Sequence, residues 1–483
     1  MKEKIVPLCL ELRKEQEKRL GVDRLHYYDE ELIFPEGNAV PEGTTEELVA
    51  KAQKMYHELS KETGEFFDFM VEHELFDLET KPGKQTGGYC TFLNTFKAPF
   101  IFSNFNGTSA DVDVLTHEAG HAFEAYTAAK QIPFMDMVFP TSEVAEIHSM
   151  TMEHFAYPWM NAFFGEKADD YRYAHLMSAL EVIPYMVCVD EFQHKVFENI
   201  GMTAKERRAI WHQLELTYMP WRNYDGHKFL EEGGFWMQKQ HIFVNPFYYI
   251  DYALAQICAF QFFERSKKEP EKAWGDYYRL CQAGGSKGYF ALLELAGLKN
   301  PFVDGTVEEV VAGLKPYLKR KVKYPVKDED LKKVAEVEAL CFPAAEAAGY
   351  EDFMERYKTC KNSFFVAETE DGEIAGFCNG CCADTDYLAD ALYHDATLHN
   401  PDGDYQMIFG LDVNPKFQKQ GIGEALMRHM VKSAGERDKK AVVLTCKDHM
   451  IPFYKRIGYE YIELSDSTHG GAAWHKMMYR LKK

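Results

Sequence analysis

Apolar residues recur at spacings of three and four along most of the first three hundred positions. Over Thr44–Glu79 (TTEELVAKAQKMYHELSKETGEFFDFMVEHELFDLE) this spacing predicts amphipathic helix, with Thr44 or Thr45 as a suitable N-cap. Residues 86–107 are instead rich in aromatics, threonine and glycine, which predicts a short pair of strands and loops. We expect helix to resume at Asp111 and to persist, with breaks, to about Leu318.

The pattern changes after a charged, proline-punctuated run, KPYLKRKVKYPVKDED, at residues 315–330. Beyond it, FFVAETEDGEIAGF predicts a hairpin that turns at Asp371–Gly372. The stretches YQMIFGLDV, AVVLTC and WHKMMYRL predict further strands, with helices between them. We therefore predict a multidomain chain, with a mainly helical domain over residues 1–320 and an α/β or α+β domain over residues 321–483.

The composition narrows the class of protein. The 483 residues are 46% hydrophobic and 27% charged, which suits two or three globular domains. The net charge of −21 disfavours nucleic acid and anionic membranes as partners. No uncharged apolar run reaches membrane-spanning length, and the charged N-terminus (MKEKIVPLCLELRKEQEKRLG) does not predict a signal peptide. With an odd count of 11 cysteines, these features predict a cytoplasmic protein with reduced thiols.

Three of the cysteines, Cys378, Cys381 and Cys382, form a CxxCC cluster. No second cysteine pair or histidine-rich segment nearby completes a metal-binding knuckle. We therefore favour buried thiols at this cluster over a metal site.

The stretch LTHEAGHAFEA places His117 and His121 four residues apart. On a helix, this spacing puts both imidazoles on one face, where they can share a metal ion. Glu118 lies beside them and can take a proton from a water molecule. A metal site needs a third protein ligand, and the alternative is an ordinary helix that carries two histidines.

Two downstream segments favour the metal site. The predicted helix SEVAEIHSMTMEHF carries Glu143, Glu146 and Glu153; Glu146 lies 25 residues after His121 and is a reasonable third ligand. Glu153 lies two turns further along the same face, where it can orient a ligand imidazole. The segment HIFVNPFYYIDYALA then brings one histidine and three tyrosines, which can donate hydrogen bonds to an oxyanion. A solvated acidic helix face and plain aromatic packing are the alternatives.

Together with GKQTGGYC and PFIFSNFNGT, these segments resemble the thimet oligopeptidase and oligoendopeptidase F family of zinc metallopeptidases, in its C-terminal catalytic part. The resemblance covers roughly residues 1–320 and implies a helical zincin-type domain that hydrolyses oligopeptides. It implies zinc ligands at His117, His121 and Glu146, and Glu118 as the general base. For the groups that stabilise the tetrahedral intermediate it indicates His241, Tyr249 and Tyr252, with Tyr248 also open.

Peptidases of this family carry a long helical portion ahead of the matching region, and it forms one wall of a deep substrate channel. This chain begins inside the family pattern, so the resemblance implies that much of that wall is missing. Two outcomes stay open: a homo-oligomer supplies the wall, or an apolar face is left exposed.

The segment NPKFQKQGIGEALMRHMVKSA fits Q-x-x-G-x-G at Gln418, Gly421 and Gly423, between a predicted strand and an amphipathic helix. Glycines allow close approach of a ligand to the backbone, and a helix N-terminus offers free N–H groups to phosphates. A purely structural turn is the alternative.

With AVVLTCKDHMIPFYKRIGYE and THGGAAWHKM, this segment resembles the GNAT acetyltransferases over about residues 322–483, and most closely their arylalkylamine branch. The resemblance implies acetyl-CoA as co-substrate, an amine as acceptor, and Tyr454 as the acid that protonates the departing thiolate. It implies a pyrophosphate loop made of Gln418, Lys419, Gln420, Gly421, Ile422 and Gly423. The strand before that loop, Met407–Leu411, lacks the histidine bases of the branch, so Glu346, His394 and His399 are the candidate bases.

We thus predict a zinc metalloendopeptidase with a C-terminal N-acetyltransferase domain. One alternative is an amine acetyltransferase whose truncated peptidase domain is an inactive scaffold. Another is a binding protein with two degenerate sites.

Overall fold

In the computed structural model, the chain forms two compact units, Met1–Leu318 and Lys319–Lys483. The structure describes residues 1–318, 321–342, 347–369, 372–387, 398–466 and 473–481, together with Leu392 and Asp395. The predicted fold class, a helical domain followed by an α/β domain, is confirmed. Among the described residues, no helix combines the length and the apolar character needed to cross a bilayer.

Helices dominate the first unit. They are α1 (Val6–Leu20), α2 (Thr45–Leu59), α3 (Lys61–Glu72), α4 (Ala110–Gln131), α5 (Ser142–Phe155), α6 (Met160–Phe164), α7 (Ala168–Glu198), α8 (Ala204–Tyr218), α9 (His241–Val244), α10 (Tyr249–Lys268), α11 (Pro270–Ala283), α12 (Tyr289–Leu295) and α13 (Thr306–Leu314). Thr44 caps α2 through a reciprocal pair of hydrogen bonds with Glu47. The prediction of helix throughout Thr44–Glu79 was wrong in two places. Ser60 ends α2 and caps α3, and the last four residues form a strand.

That strand is β1 (Phe76–Glu79), and it joins β2 (Tyr89–Leu93) and β3 (Ala98–Phe105) in a sheet of order β1-β3-β2. The central strand, β3, pairs in parallel with β1 and antiparallel with β2. The predicted strand pair at residues 86–107 is therefore present as β2 and β3, and β2 lies at the edge beside α4.

A close helix crossing organises the core. Helix α4 packs on α5, and α5 packs on α10. At the crossing of α4 and α5, a Cβ atom placed on Gly120 would lie 2.6 Å from Ser149 Cα and 2.8 Å from the carbonyl oxygen of His148. Only glycine allows the two backbones to approach this closely.

The second unit is a sheet with helices on both faces. Its helices are α14 (Leu331–Cys341), α15 (Tyr350–Cys360), α16 (Ile422–Glu436) and α17 (Ile451–Ile457). Its described strands are β4 (Lys321–Pro325), β5 (Phe364–Thr369), β6 (Ile374–Ala383), β7 (Tyr405–Val413), β8 (Ala441–Cys446), β9 (Glu460–Leu464) and β10 (His475–Arg480), in the order β4-β5-β6-β7-β8-β10-β9.

Alternating side chains of β5 show how both faces of this sheet are covered. Phe365 and Ala367 pack in the cluster with α16, whereas Phe364 and Val366 pack in the cluster with α14 and α15. Every residue of β6 is buried, as expected for a central strand covered on both sides. The buried thiols of Cys378, Cys381 and Cys382 belong to this strand.

The predicted hairpin corresponds to β5 and β6, which pair antiparallel. Gly372 adopts φ +82°, a left-handed conformation that suits glycine in a turn, and Asp371 lies outside the described residues. Glu346, His394 and residues 468–472 of the THGGAAWHKM segment also lie outside them. Periodicity did not predict β4 and β9, which are short and lie at the two edges of the sheet.

Candidate functional sites

Three candidate metal ligands converge in the first unit. Helix α4 presents His117 and His121 one turn apart, with ring centroids 5.1 Å from each other. Glu146 on α5 places Oε2 3.3 Å from Nε2 of His117 and 3.4 Å from Nε2 of His121. The ligand atoms of the three residues lie within 4.8 Å of one another, and among the described residues they form the one such group.

The chemistry of this donor set fits zinc. Two imidazole nitrogens and one carboxylate oxygen are the protein ligands of a catalytic zinc site, which keeps its fourth position open. The carboxylate is 4% exposed, while the imidazoles of His117 and His121 are 22% and 15% exposed. The group is therefore anchored in the protein on the side of Glu146 and accessible on the side of the histidines.

The charges of these groups support one another. Burial opposes the charge of Glu146, but the two imidazoles outweigh it and hold the pKa of the carboxyl well below its usual range. Burial likewise opposes the charge of His117, yet hydrogen bonds to Glu146 and Glu153 raise its pKa well above the usual value. The pocket thus favours positive charge between its carboxylates, as a cation site must.

Glu153 contacts the far side of one ligand. Its Oε1 lies 2.5 Å from Nδ1 of His117, so the sequence-based expectation that it can orient an imidazole has the geometry it requires. Ser149 donates to Oε2 of Glu146 at 3.0 Å and fixes that carboxylate in turn. By contrast, Glu143 lies in the first turn of α5, bonded to Thr141, outside the group.

Glu118 is a buried carboxyl beside the two histidines. Burial raises its pKa, while the imidazoles of His117 and His121 and the backbone N–H of Cys90 act in the opposite direction. Cys90 belongs to the edge strand β2, so Glu118 lies between the histidine pair and that edge. A carboxylate with a raised pKa in this position is suited to accept and return a proton.

The histidine and tyrosines predicted downstream form one aromatic cluster. The rings of His241 and Tyr248 stack with centroids 5.9 Å apart, and Tyr252 lies 5.0 Å from Tyr248. Tyr248 donates a hydrogen bond to Oε1 of Glu146. Tyr249 lies 5.3 Å from His241 but is buried against Tyr185.

The contact of Tyr248 with Glu146 was not singled out from the sequence, which favoured Tyr249 and Tyr252. No local rule separates the two tyrosines, because Tyr248 lies four residues and Tyr249 three residues before Tyr252, and both spacings make neighbours on a helix. Their packing separates them, with Tyr248 on Glu146 and Tyr249 against Tyr185.

In the second unit, the glycine-containing segment leads directly into α16. Gly421 precedes the helix with φ +79°, and no atom lies within 4 Å of the position that a Cβ would take there. Lys419 also has a positive φ, of 59°, and Gln418 donates to the carbonyl of Val413 at 3.2 Å. The space beside Gly421 at the start of α16 is thus open, and a helix N-terminus offers free N–H groups to a phosphate.

The adjacent strands diverge. β7 and β8 pair in parallel only from Tyr405↔Ala441 to Met407↔Val443, although β7 continues to Val413. The last six residues of β7 therefore present backbone groups on this edge that do not pair with β8, close to the start of α16. A ligand lying along this edge can form hydrogen bonds with them.

Two other residues predicted for acetyl transfer, Tyr454 and His399, lie among the described residues. Tyr454 on α17 is buried against Phe453 and Tyr459. His399 accepts a hydrogen bond at Nδ1 from the backbone N–H of Cys382, 2.9 Å away, and burial lowers its pKa.

Sequence comparison assigns a family to each of the two units. A model of peptidase family M3 matches residues 9–311, and a model of the GNAT acetyltransferase family matches residues 331–459. The chain belongs to peptidase family M3, and its peptidase domain is followed by a GNAT acetyltransferase domain.

Individual relatives add detail. An oligoendopeptidase F homolog of Borreliella burgdorferi is 23% identical over 312 residues, 62% of this chain and 52% of that protein. A solved structure of PZ peptidase A with an inhibitor is 52% identical, has a TM-score of 0.64, and matches 66% of this chain and 56% of its own. The serotonin N-acetyltransferase of Mesocricetus auratus is 25% identical over 134 residues, 28% of this chain and 63% of that protein. The chain thus spans about half the length of these peptidase relatives.

Proposed function

We propose that residues 1–320 act as a zinc-dependent metalloendopeptidase that cleaves oligopeptides, and that residues 321–483 transfer an acetyl group from acetyl-CoA to an amine. The observation that carries the first activity is the convergence of His117, His121 and Glu146 on one point. The same three residues hold the zinc in this proposal.

The side chains around this point divide the work of hydrolysis. A zinc ion held by His117, His121 and Glu146 would polarise the scissile carbonyl and lower the pKa of the attacking water. Glu118 accepts the proton of that water and returns it to the departing amine, for which its raised pKa and its place beside the ligands are suited. His241, Tyr249 and Tyr252 were the donors to the oxyanion expected from the sequence, and the contact of Tyr248 with Glu146 adds this tyrosine to them.

Metal content and peptide cleavage test the peptidase together. We expect one zinc per chain and cleavage of a quenched fluorescent peptide of fewer than about ten residues, the size that a short-peptide channel admits. Glu118→Gln should keep the zinc and lose about a hundredfold or more of the turnover, because only the proton acceptor is removed. Glu143→Gln is the matched control, since this carboxyl lies outside the ligand group, and it should change neither quantity. A zinc-free chain, or full turnover by Glu118→Gln, would contradict the proposal.

The acetyltransferase rests on a separate observation, the divergence of β7 from β8 beside the glycine-led start of α16. A thioester lying in that opening would bond to the edge of β7 and place its pyrophosphate on the helix N-terminus. The relative that acts on serotonin suggests an arylalkylamine as the acceptor. Calorimetry with acetyl-CoA tests the site, and no binding at millimolar ligand would contradict it. Acetyl transfer by a chain that binds no zinc would favour the alternative in which the peptidase domain is a scaffold.

The resemblance also led us to expect self-association of the chain. Sedimentation of the chain tests this expectation. A monomer that cleaves peptides would contradict it.

A further inference from the structure

A chain of hydrogen bonds runs from the candidate metal ligand His117 into the interior of the first unit. Nδ1 of His117 lies 2.5 Å from Oε1 of Glu153. The other oxygen of that carboxylate, Oε2, lies 2.8 Å from Nε2 of His175 on α7. Nδ1 of His175 lies 2.6 Å from the hydroxyl of Tyr157, which follows the end of α5.

The chemistry of Glu153 determines which protons face it. A carboxylate only accepts hydrogen bonds, so both imidazole nitrogens that face Glu153 must donate. His175 therefore carries a proton on Nε2, and its Nδ1 shares a hydrogen bond with the Tyr157 hydroxyl, whose direction follows the protonation of the ring. In its cation-binding form, His117 also carries one proton. That proton is held on Nδ1, and the lone pair on Nε2 faces Glu146 and the cation position.

Packing keeps His175 in this orientation. Its side chain is 9% exposed. The ring of Tyr171 stacks on it at 5.6 Å, and the ring of His154 meets it edge-on at 5.8 Å. The carbonyl of Tyr157 accepts from Nε of Arg172 at 2.8 Å, which fixes the residue at the end of the chain.

We propose that His175, held by Tyr157, is a positioning residue of the metal centre. By fixing Glu153, it fixes the tautomer and the ring orientation of His117 and thereby strengthens zinc binding. The proposal rests on the zinc site of the proposed function. It extends that site by two groups that neither bind the cation nor touch the substrate.

The test is the zinc dissociation constant of the full chain, measured by competition with a chromophoric chelator at a single pH. His175→Phe should weaken zinc binding about tenfold or more, the range observed when an outer-shell partner is removed. His175→Gln should recover most of the affinity, because its amide nitrogen can replace Nε2 as the donor to Glu153. Tyr157→Phe, which removes a single oxygen, should weaken binding in the same direction and by less.

His154→Phe is the matched control. This histidine is buried and its ring meets that of His175, but Gln256 is its side-chain hydrogen-bond partner, and Glu153 is not. It should lose folding stability like His175→Phe and keep its affinity for zinc. Unfolding of the metal-free variants is recorded alongside to compare their stability.

Zinc affinity within twofold of the unaltered chain in both His175→Phe and Tyr157→Phe would overturn the proposal. An equal loss in His175→Gln and His175→Phe would also overturn it, because the donor to Glu153 would then be irrelevant. If His175→Phe does not fold, the comparison of Tyr157→Phe with His154→Phe decides. If the unaltered chain binds no zinc, the proposed function itself is refuted. If the unaltered chain and its variants all bind zinc normally, only the role of His175 is refuted.

Discussion

Gly120 offers a sharp test of the structure, because it is the point where the helix of the histidines crosses the helix of Glu146. A Cβ added there would lie 2.6 Å from Ser149 Cα and 2.8 Å from the carbonyl oxygen of His148. Carbon atoms in ordinary contact are about 3.5–4.0 Å apart, so Gly120→Ala requires α4 and α5 to separate by about 1 Å. Both obstructing atoms are backbone atoms, and neither can rotate away.

Two opposing energies set the expected size of the effect. Overpacking of a rigid core costs about 1–3 kcal/mol, and a contact this short lies at the upper end of that range. Alanine is the better helix former by about 1 kcal/mol, so we expect a net loss of about 2 kcal/mol in the free energy of unfolding. Metal–ligand distances tolerate deviations of about 0.2 Å. A displacement of about 1 Å between His117 and Glu146 should therefore weaken zinc binding by about tenfold or more, the size seen when a ligand loses its support.

Denaturant unfolding of the metal-free protein and chelator competition measure the two effects. Gly275→Ala on α11 is the matched control, because its Cβ would meet only Nη1 of Arg279, at 4.0 Å. That variant should be stabilised by up to about 1 kcal/mol and keep its zinc affinity. If Gly120→Ala were stabilised like Gly275→Ala and bound zinc normally, the close crossing of α4 and α5 would be refuted.

Three further predictions concern other parts of the chain. Tyr248→Phe should lower kcat by about 10²–10³ with zinc retained, since a hydrogen-bond donor beside Glu146 is lost. Tyr249→Phe should lower kcat much less, because this ring packs against Tyr185. Equal losses in peptide cleavage assays would contradict the choice of Tyr248 as the oxyanion donor. Gly421→Ala should weaken acetyl-CoA binding in calorimetry and leave peptide turnover unchanged, because a Cβ at φ +79° costs about 1–2 kcal/mol. Gly435→Ala is the control, since Gly435 lies on the same helix without a positive φ. Identical affinities of the two variants for acetyl-CoA would contradict a role of the glycine loop in binding. Burial lowers the pKa of His154 to about 3, while the unfolded chain titrates near 6.5, so the unfolded state binds the extra proton between these values and stability falls as the pH drops below 6.5. The loss is about 2 kcal/mol between pH 7 and pH 5, and His154→Phe should flatten the unfolding profile by that amount; an unchanged slope would show that His154 is not buried in its neutral form.

Local periodicity was enough to predict one half of the candidate metal centre. His117, Glu118 and His121 share a helix, and a spacing of four residues has the same consequence in any helix. Glu146 is different, because no local rule connects it to a residue 25 positions earlier. The approach of α4 to α5 at Gly120 is what brings it to the histidines; the sequence offered Glu146 as a reasonable third ligand, and the family resemblance singled it out. The same limit explains why His175 went unnoticed, since its contact with Glu153 depends on the packing of α7.

In the acetyltransferase domain, the sequence predicts the glycine loop but does not identify the general base. A glycine before a helix is a local feature, so the phosphate loop could be predicted, but a general base depends on its surroundings. Asp412 lies on β7, the strand that precedes the glycine-containing segment, and was not among the candidate bases. It is buried in the structure, and burial together with the neighbouring Glu338 raises the pKa of this carboxyl well above its usual range. The raised pKa favours the protonated form of Asp412, which cannot accept a proton, so the proposed acetyl transfer needs a different base.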